Sequence, residues 1–292
     1  MFKGTGTALL TPFKSDFSVD YIALKKVVEQ QVKSGIDAIV VLGTTGEAPV
    51  INNEERKKII ETVQETAAGK SEIIVGTGSN DTVHVVELNK MAEELKADGV
   101  LVVNPYYNKG TQASVIEHYK YICERTSLPV MMYNVPSRTG MNILPETVLK
   151  IVDSCKNVKG IKEASGNISQ IAQLISMKPE DFNVYSGNDD QTLPVIALGG
   201  MGLISVFSNA FPVQAKKLVS ALLDNNYPEG QKLNNQYLEM MNALFVEASP
   251  MPLKYVMKKT GLCENVCRLP LISITEKSEK YLDEIYSRFI KL

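Results

Sequence analysis

Short apolar, β-branched runs alternate along this chain with amphipathic stretches. The runs are Gly6–Leu10, Ala38–Leu42, Ile73–Gly76, Val100–Val103, Val130–Tyr133, Val158–Lys162, Val184–Ser186 and Leu203–Phe207. Each ends in a polar or glycine-rich loop, and a helical pattern follows. Tyr21–Ser34 places Ile22, Leu24, Val27, Val28 and Val32 at the spacing of one buried helix face. Asn53–Thr66 opens with the capping-type sequence NNEE, and Thr82–Lys96, Ser114–Thr126, Glu146–Asp153 and Ser169–Ser176 continue the series. The runs are near-continuously apolar rather than alternating, as in strands buried on both faces of a parallel sheet. Eight strand–helix repeats predict an α/β fold, a closed (β/α)8 TIM barrel. An open doubly wound sheet needs an edge strand with polar alternation, and no run has that pattern. After Phe211 the strand signal stops. The remainder reads as helices broken at Asn225–Gly230, Ser249–Pro252 and Leu269–Pro270. The expected division is a catalytic barrel over residues 1–211 and a C-terminal helical appendage over 212–292.

Composition narrows the class. With 292 residues, 44% of them hydrophobic and 22% charged, the chain is long enough for one barrel with a sizeable core. Lys and Arg number 31 against 33 Asp and Glu, a net charge of −2. That balance points to neither nucleic acid nor a membrane surface as partner. The N-terminal MFKGTGTALLTPF has no long apolar stretch and no small-residue cleavage site, so no secretory signal is expected. No apolar run reaches membrane-spanning length. The four cysteines, Cys123, Cys155, Cys263 and Cys267, then read as free thiols in a reducing cytoplasm. Cys263 and Cys267 lack a second cysteine pair, and His84 and His118 lie far away in sequence, so no metal site is expected.

In such a barrel the chemistry sits where the strands end. The segments there are Gly43-Thr44-Thr45-Gly46-Glu47, Asn104-Pro105-Tyr106-Tyr107-Asn108, Tyr133 through Gly140, Gly160 through Ser165, and Ser186-Gly187-Asn188-Asp189. Lys162 is the most informative residue, because it lies inside an apolar strand pattern. Burial disfavours the ammonium and leaves neutral amine, the form that attacks a ketone. Taken alone, Lys162 also fits a strand-end lysine that reaches water or pairs with Glu163. The Gly43–Gly46 loop offers backbone N–H groups and two hydroxyls suited to a carboxylate or phosphate. It lacks the lysine of a P-loop and equally fits an ordinary strand–helix turn. Tyr133 is placed to exchange a proton near Lys162, or to be a core tyrosine. Arg138 is a candidate bidentate clamp for a carboxylate, or a solvated loop cation. Tyr106 and Tyr107 fit a site or a subunit interface.

The motifs GTTGE, NPYYN, YNVPSRTG, GIKEAS and SGND, in this order, resemble the dihydrodipicolinate synthase family. The resemblance runs from GTGTALLTPF through GGMGLISVFSNAFP to SPMPLKYV and LCENVCRLPL, almost the whole chain. It implies a homo-oligomer, a tetramer built as a dimer of dimers or a dimer, acting on pyruvate and aspartate 4-semialdehyde in the diaminopimelate route to lysine. Pyruvate condenses with Lys162, the imine becomes an enamine, and the enamine attacks the aldehyde. Thr44, Tyr133 and Tyr107 match the family's proton relay, with Tyr107 reaching the partner subunit's site. Thr45 matches the holder of the pyruvate carboxylate, Arg138 the clamp for the semialdehyde, and Gly187 and Ile204 positions whose backbone lines the site. No cofactor is implied, because the protonated imine is itself the electron sink.

The same resemblance leaves an alternative, a 2-keto-3-deoxy sugar acid aldolase or N-acetylneuraminate lyase sharing the lysine. Arg138 argues for the synthase, since a polyhydroxylated substrate calls for neutral polar groups there. A non-catalytic binder of 2-oxo acids is disfavoured by the presence of Lys162, Tyr133, Thr44 and Tyr107 together. Lysine-regulated members of the family hold the amino acid in a pocket matching Ala48, Pro49, Asn53, Arg56, Asn80, His84 and Tyr106. Asn80 and Tyr106 agree with that pattern and the others depart from it. Arg56 and His84 stand where histidine and glutamate are expected, which implies an enzyme without strong lysine inhibition. The alternative is that this region repacks as interface, with Arg56 paired to a carboxylate such as Glu55.

Overall fold

The computed structural model describes residues 1–291. Eight parallel strands close in sequence order: β1 Gly4–Ala8, β2 Ala38–Val41, β3 Glu72–Gly76, β4 Gly99–Val103, β5 Val130–Asn134, β6 Val158–Glu163, β7 Asn183–Ser186 and β8 Gly202–Ser205. Closure comes from β8 pairing with β1, Gly4 against Gly202 through Thr7 against Ser205. The fit is tight at Gly202, which has φ +153° and where a Cβ would lie 1.9 Å from the Gly4 carbonyl oxygen. Only glycine passes there.

Between the strands run α1 Tyr21–Lys33, α2 Asn53–Ala67, α3 Thr82–Glu94, α4 Gln112–Cys123, the short α5 Pro136–Thr139, α6 Pro145–Ser154, α7 Ile168–Met177 and α8 Thr192–Ala197. After the barrel strands come α9 Pro212–Leu223, α10 Tyr227–Ala243, α11 Met251–Lys259 and α12 Glu276–Phe289. The NNEE sequence forms a reciprocal cap: the Asn52 side chain accepts from Glu55 N–H at 2.9 Å, and Glu55 accepts from Asn52 N–H at 3.2 Å.

The continuous apolarity of the strands has a simple cause, since each face of the barrel meets its own core. Ala38, Val40, Ile74, Leu101, Met131, Tyr133 and Ile204 point inward. Ile39, Val41, Ile73, Val75, Val100, Val102, Val130 and Met132 point outward, into the layer beneath the helices. Phe2 plugs the N-terminal end, stacked on Tyr185 at 4.7 Å, with the Tyr185 hydroxyl donating to the Phe2 carbonyl.

Three runs, at β1, β2 and β8, end earlier than the pattern predicts, and at β1 and β8 side chains take over the backbone bonding. At β8 the N–H groups of Val206 and Phe207 donate to the Asp189 carboxylate at 3.0 and 3.1 Å. At β1 the Leu10 N–H donates to the Asn209 side chain at 3.0 Å. Pro212–Leu223, placed beyond residue 211 with the appendage, packs against β1 and β8 and occupies the position of the barrel's eighth helix. Its Lys216 pairs with Asp37 at the base of β2. The helices α10 to α12 carry no strands of their own. Tyr237 and Phe289 join Phe207 and Phe211 in one aromatic cluster. No helix among the described residues is long and apolar enough to cross a membrane. All four cysteines are free thiols.

Candidate active site

Lys162 and Tyr133 are register partners on adjacent strands near the C-terminal mouth of the barrel. Both side chains point inward, and the Lys162 Nζ lies 4.5 Å from the centre of the Tyr133 ring. Lys162 is 5% exposed. Burial pulls its amine down to about 8; the Asp189 carboxylate opposes this and the Arg138 guanidinium reinforces it. The pairing with Glu163 does not form, because successive strand residues face opposite sides. Glu163 turns outward, accepting from the Asn134 amide at 3.0 and 3.2 Å and from Ser165 N–H at 2.7 Å.

The Tyr133 phenol is raised by burial and pulled back by Arg138 and by a hydrogen bond with Thr44. Thr44 and Thr45 sit in a turn held by Gly46 N–H to Gly43 carbonyl and Glu47 N–H to Thr44 carbonyl. Among the described residues the N–H groups of Thr44 and Thr45 donate to nothing in the chain. Free N–H groups and hydroxyls together suit an anion. Gly187 is there for space: a Cβ would lie 3.1 Å from the Lys162 Cε and 2.7 Å from the Ala164 Cβ.

Thr44, Thr45, Tyr133, Arg138, Lys162 and Gly187 line one cavity of about 480 Å³. Its far wall is Phe245–Ser249, and Arg138 donates to the Ser249 carbonyl at 3.2 Å. A buried amine, a phenol, two hydroxyls and a guanidinium therefore converge on one space. That set can form an imine with a ketone, move protons beside it and hold carboxylates.

Two residues of the implied site are not among those lining this cavity. Ile204 is fully buried inside the barrel, and Val206 lines the cavity instead. Tyr107 is 89% exposed, with φ +69°, and does not line the cavity of its own chain. Two features escaped the sequence reading. The 245–249 wall carries no sequence signal beyond the helix break at Ser249–Pro252. Asp189 closes the SGND motif but was given no role. It is buried, accepts from Ser205, Val206 and Phe207, and is itself raised by burial.

A second cavity of about 420 Å³ shares Thr44, Tyr133 and Arg138 and extends to Ala48, Pro49, Asn53, Arg56, His84 and Tyr106. Six of the seven positions expected to form a pocket thus line one space. Asn80 does not line it, and its carbonyl accepts from Asn108. Arg56 does not pair with Glu55, which is taken by Arg268 in a two-point bridge at 2.5 and 2.7 Å.

The loop before α2 is anchored from the appendage. Lys254, fully buried, pairs with Glu47, donates to the Val266 carbonyl at 2.7 Å and lies over the Phe13 ring. The Arg268 N–H donates to Glu47 at 3.0 Å.

The Dihydrodipicolinate synthetase family profile matches residues 1–288. A 4-hydroxy-tetrahydrodipicolinate synthase of Acetivibrio thermocellus is 46% identical over 284 residues, covering 97% of this chain and 96% of that protein. The crystal structure of dihydrodipicolinate synthase from Thermotoga maritima superposes with a TM-score of 0.98 at 44% identity, covering both chains completely. A dihydrodipicolinate synthase from Acinetobacter baumannii, solved in complex with pyruvate, superposes at 0.97 with 34% identity over the full length of both.

Proposed function

The chain belongs to the dihydrodipicolinate synthetase family, and from that premise we propose how its residues perform the 4-hydroxy-tetrahydrodipicolinate synthase reaction of lysine biosynthesis. The observation that carries the proposal is the buried Lys162 amine, held near 8 above the Tyr133 ring in a cavity lined by Thr44, Thr45 and Arg138. The neutral amine attacks the ketone carbon of pyruvate and water leaves, giving the imine. Loss of a methyl proton gives the enamine, whose carbon bonds to the aldehyde carbon of aspartate semialdehyde. The amino group of the adduct then adds to the imine carbon, and Lys162 leaves as the free amine while the ring closes. Thr44 and Tyr133 pass the protons of these steps. The Thr45 turn holds the pyruvate carboxylate and Arg138 the semialdehyde carboxylate.

Tyr107 completes the relay of a partner subunit, which rests on its exposure and on its matching the relay motif. The assembly is a homo-oligomer, and a sedimenting active monomer at assay concentration contradicts this. The enzyme is not strongly inhibited by lysine. Arg56 puts a fixed charge where the amino acid's ammonium belongs, and His84 replaces the carboxylate that would attract one.

The test is incubation with pyruvate, borohydride trapping and peptide mapping, followed by a coupled assay with aspartate semialdehyde. A lactyl-type mass on Lys162 with loss of activity is expected. A label on another lysine, or none in an active preparation, removes the Schiff-base assignment.

A further inference from the structure

Two of the four cysteines meet in the fold. Cys123 is the last residue of α4, and Cys155 follows the last residue of α6. Each stands just ahead of a strand, Cys123 before β5 and Cys155 before β6. That places both at the N-terminal end of the barrel, whereas Lys162 lies near the C-terminal end of β6. The Cys123 thiol donates to the Cys155 sulfur. Both residues line one cavity of about 640 Å³, with Lys120, Glu124, Ser154 and Lys156 around them. Cys123 is half-buried and Cys155 buried, so this cavity is the route by which a small reagent arrives. The Asn157 amide donates to the carbonyls of Cys123 and Thr126 at 3.1 and 3.0 Å. The Val130 N–H donates to the Asn157 carbonyl at 2.8 Å. These bonds hold the end of α4 against the turn before β6. A thiol held against a second thiol reacts as a pair, because the second attack is intramolecular.

The hydrogen bond between the thiols makes them unequal. Cys155 is drawn below its ordinary value, first by accepting from Cys123; burial opposes this, and the Lys120 cation reinforces it. Cys123 is pushed up by donating and by burial. The thiolate is the reactive form, so Cys155 is the attacking sulfur. Burial pushes Cys263 and Cys267 up, to about 12 and about 11, which keeps both as thiols near neutral pH.

We propose that Cys123 and Cys155 are a redox-responsive pair, oxidised by low-molecular-weight disulfides to an intrachain disulfide that staples α4 to the turn before β6. The Cys155 thiolate attacks one sulfur of the reagent RSSR, whose S–S bond breaks; RS⁻ leaves and a mixed disulfide forms. The Cys123 sulfur then attacks the Cys155 sulfur, a second RS⁻ leaves, and the protein S–S bond forms. The protons of the two protein thiols end on the two RS⁻. Two cysteines are thus oxidised and one RSSR is reduced to two RSH.

The test is incubation of the assembled enzyme with 2-hydroxyethyl disulfide, acid quenching, alkylation of the remaining thiols and peptide mapping. Loss of two hydrogen atoms per chain is expected, with the Cys123 and Cys155 peptides joined and Cys263 and Cys267 alkylated. The chain should still run singly on a non-reducing denaturing gel, and dithiothreitol should reverse the change. Cys123→Ser should stop at a lasting mixed disulfide on Cys155. Cys155→Ser should slow the reaction of the remaining Cys123 by about 10-fold or more. The oxidised enzyme should melt roughly 5 °C higher, because the link closes a loop of about thirty residues. Adducts on both cysteines without a link, a link between chains or to Cys263 or Cys267, an unreactive pair in the folded enzyme, or a Tm that does not rise on oxidation each overturns the proposal. The map of the parent enzyme needs no substitution, so the proposal stays decidable where a serine variant does not fold. Lys162 stands at the other end of β6, so the outcome does not depend on the reaction assigned to it.

Discussion

The neutral amine at Lys162 makes a quantitative prediction about pH. With its midpoint near 8, about one amine in ten is neutral at pH 7, against about one in 2,500 for an ordinary lysine, a gain of roughly 200-fold. The gain comes first from burial, so it depends on the strand position rather than on any single partner. The two charges beside it act in opposite directions. Removing the Arg138 cation raises the midpoint, because less repulsion leaves the ammonium more stable. Removing the Asp189 charge lowers it. The assay is the initial rate of pyruvate-dependent labelling by cyanoborohydride, followed by intact mass from roughly pH 6 to 11. The rate should climb through about pH 8 and level off above it. Arg138→Met should move the climb upward in pH, and Asp189→Asn should move it downward. A midpoint near 10, or an Arg138→Met curve displaced downward, refutes desolvation with these two charges as the source of the reactive amine.

Arg138→Ala should lower kcat/KM for aspartate semialdehyde by about 2–4 kcal/mol, roughly 30- to 1,000-fold, with little change in pyruvate labelling of Lys162 on the plateau above its midpoint; unchanged semialdehyde kinetics make it only a loop cation. Glu47→Gln leaves Lys254 buried without its counter-charge and should cost about 3–5 kcal/mol, a fall in Tm of roughly 5–8 °C. A thermal melt within experimental scatter of the parent shows that the pair does not hold the 43–47 turn to the appendage. Initial rates with L-lysine at saturating pyruvate should show no half-inhibition below about 1 mM, a Kd equivalent to about −4 kcal/mol; tighter inhibition means that Arg56 and His84 do not disable that pocket.

What could be read from sequence, and what could not, divides along the range of the interactions involved. The eight strands were legible because burial on two faces leaves a local signature of unbroken apolar residues. Their ends were not, because Asp189 and Asn209 reach from other parts of the chain to take the N–H groups of Val206, Phe207 and Leu10. Lys162 was legible as a charge inside an apolar strand. The groups that set its reactivity were only half legible. Arg138 sat in a recognisable motif, but Asp189 lies on another strand's loop, and the 245–249 wall arrives from the helical region. Pro212–Leu223 was assigned by sequence order to the appendage, whereas its place beside β1 follows from barrel closure.

Arg56 makes the same point at a single residue. Its sequence neighbour Glu55 offered an obvious partner, yet consecutive helix residues do not face one another. Glu55 instead turns to cap α2 and to hold Arg268, a residue more than two hundred positions away. That distant arginine therefore takes the carboxylate nearest in sequence to Arg56. The charge of Arg56 is written in the sequence, but its lack of a partner is a property of the folded chain. The folded chain pairs Glu55 with Arg268 and Glu47 with Lys254. Glu47, just before the 48–56 segment, and Glu55, within it, are thus consumed by the C-terminal region, and the electropositive character of the cavity beside them is a consequence of how the appendage docks. A substitution at Arg268 should for that reason change not only the anchoring of α2 but also the charge felt at Arg56. Arg268→Met frees Glu55 alone, since Glu47 keeps Lys254 and the backbone N–H of residue 268, so the change should lower Tm by releasing the N-terminal end of α2 from the appendage. An unchanged Tm in a folded Arg268→Met enzyme shows that the bridge to Glu55 does not hold α2 to the appendage.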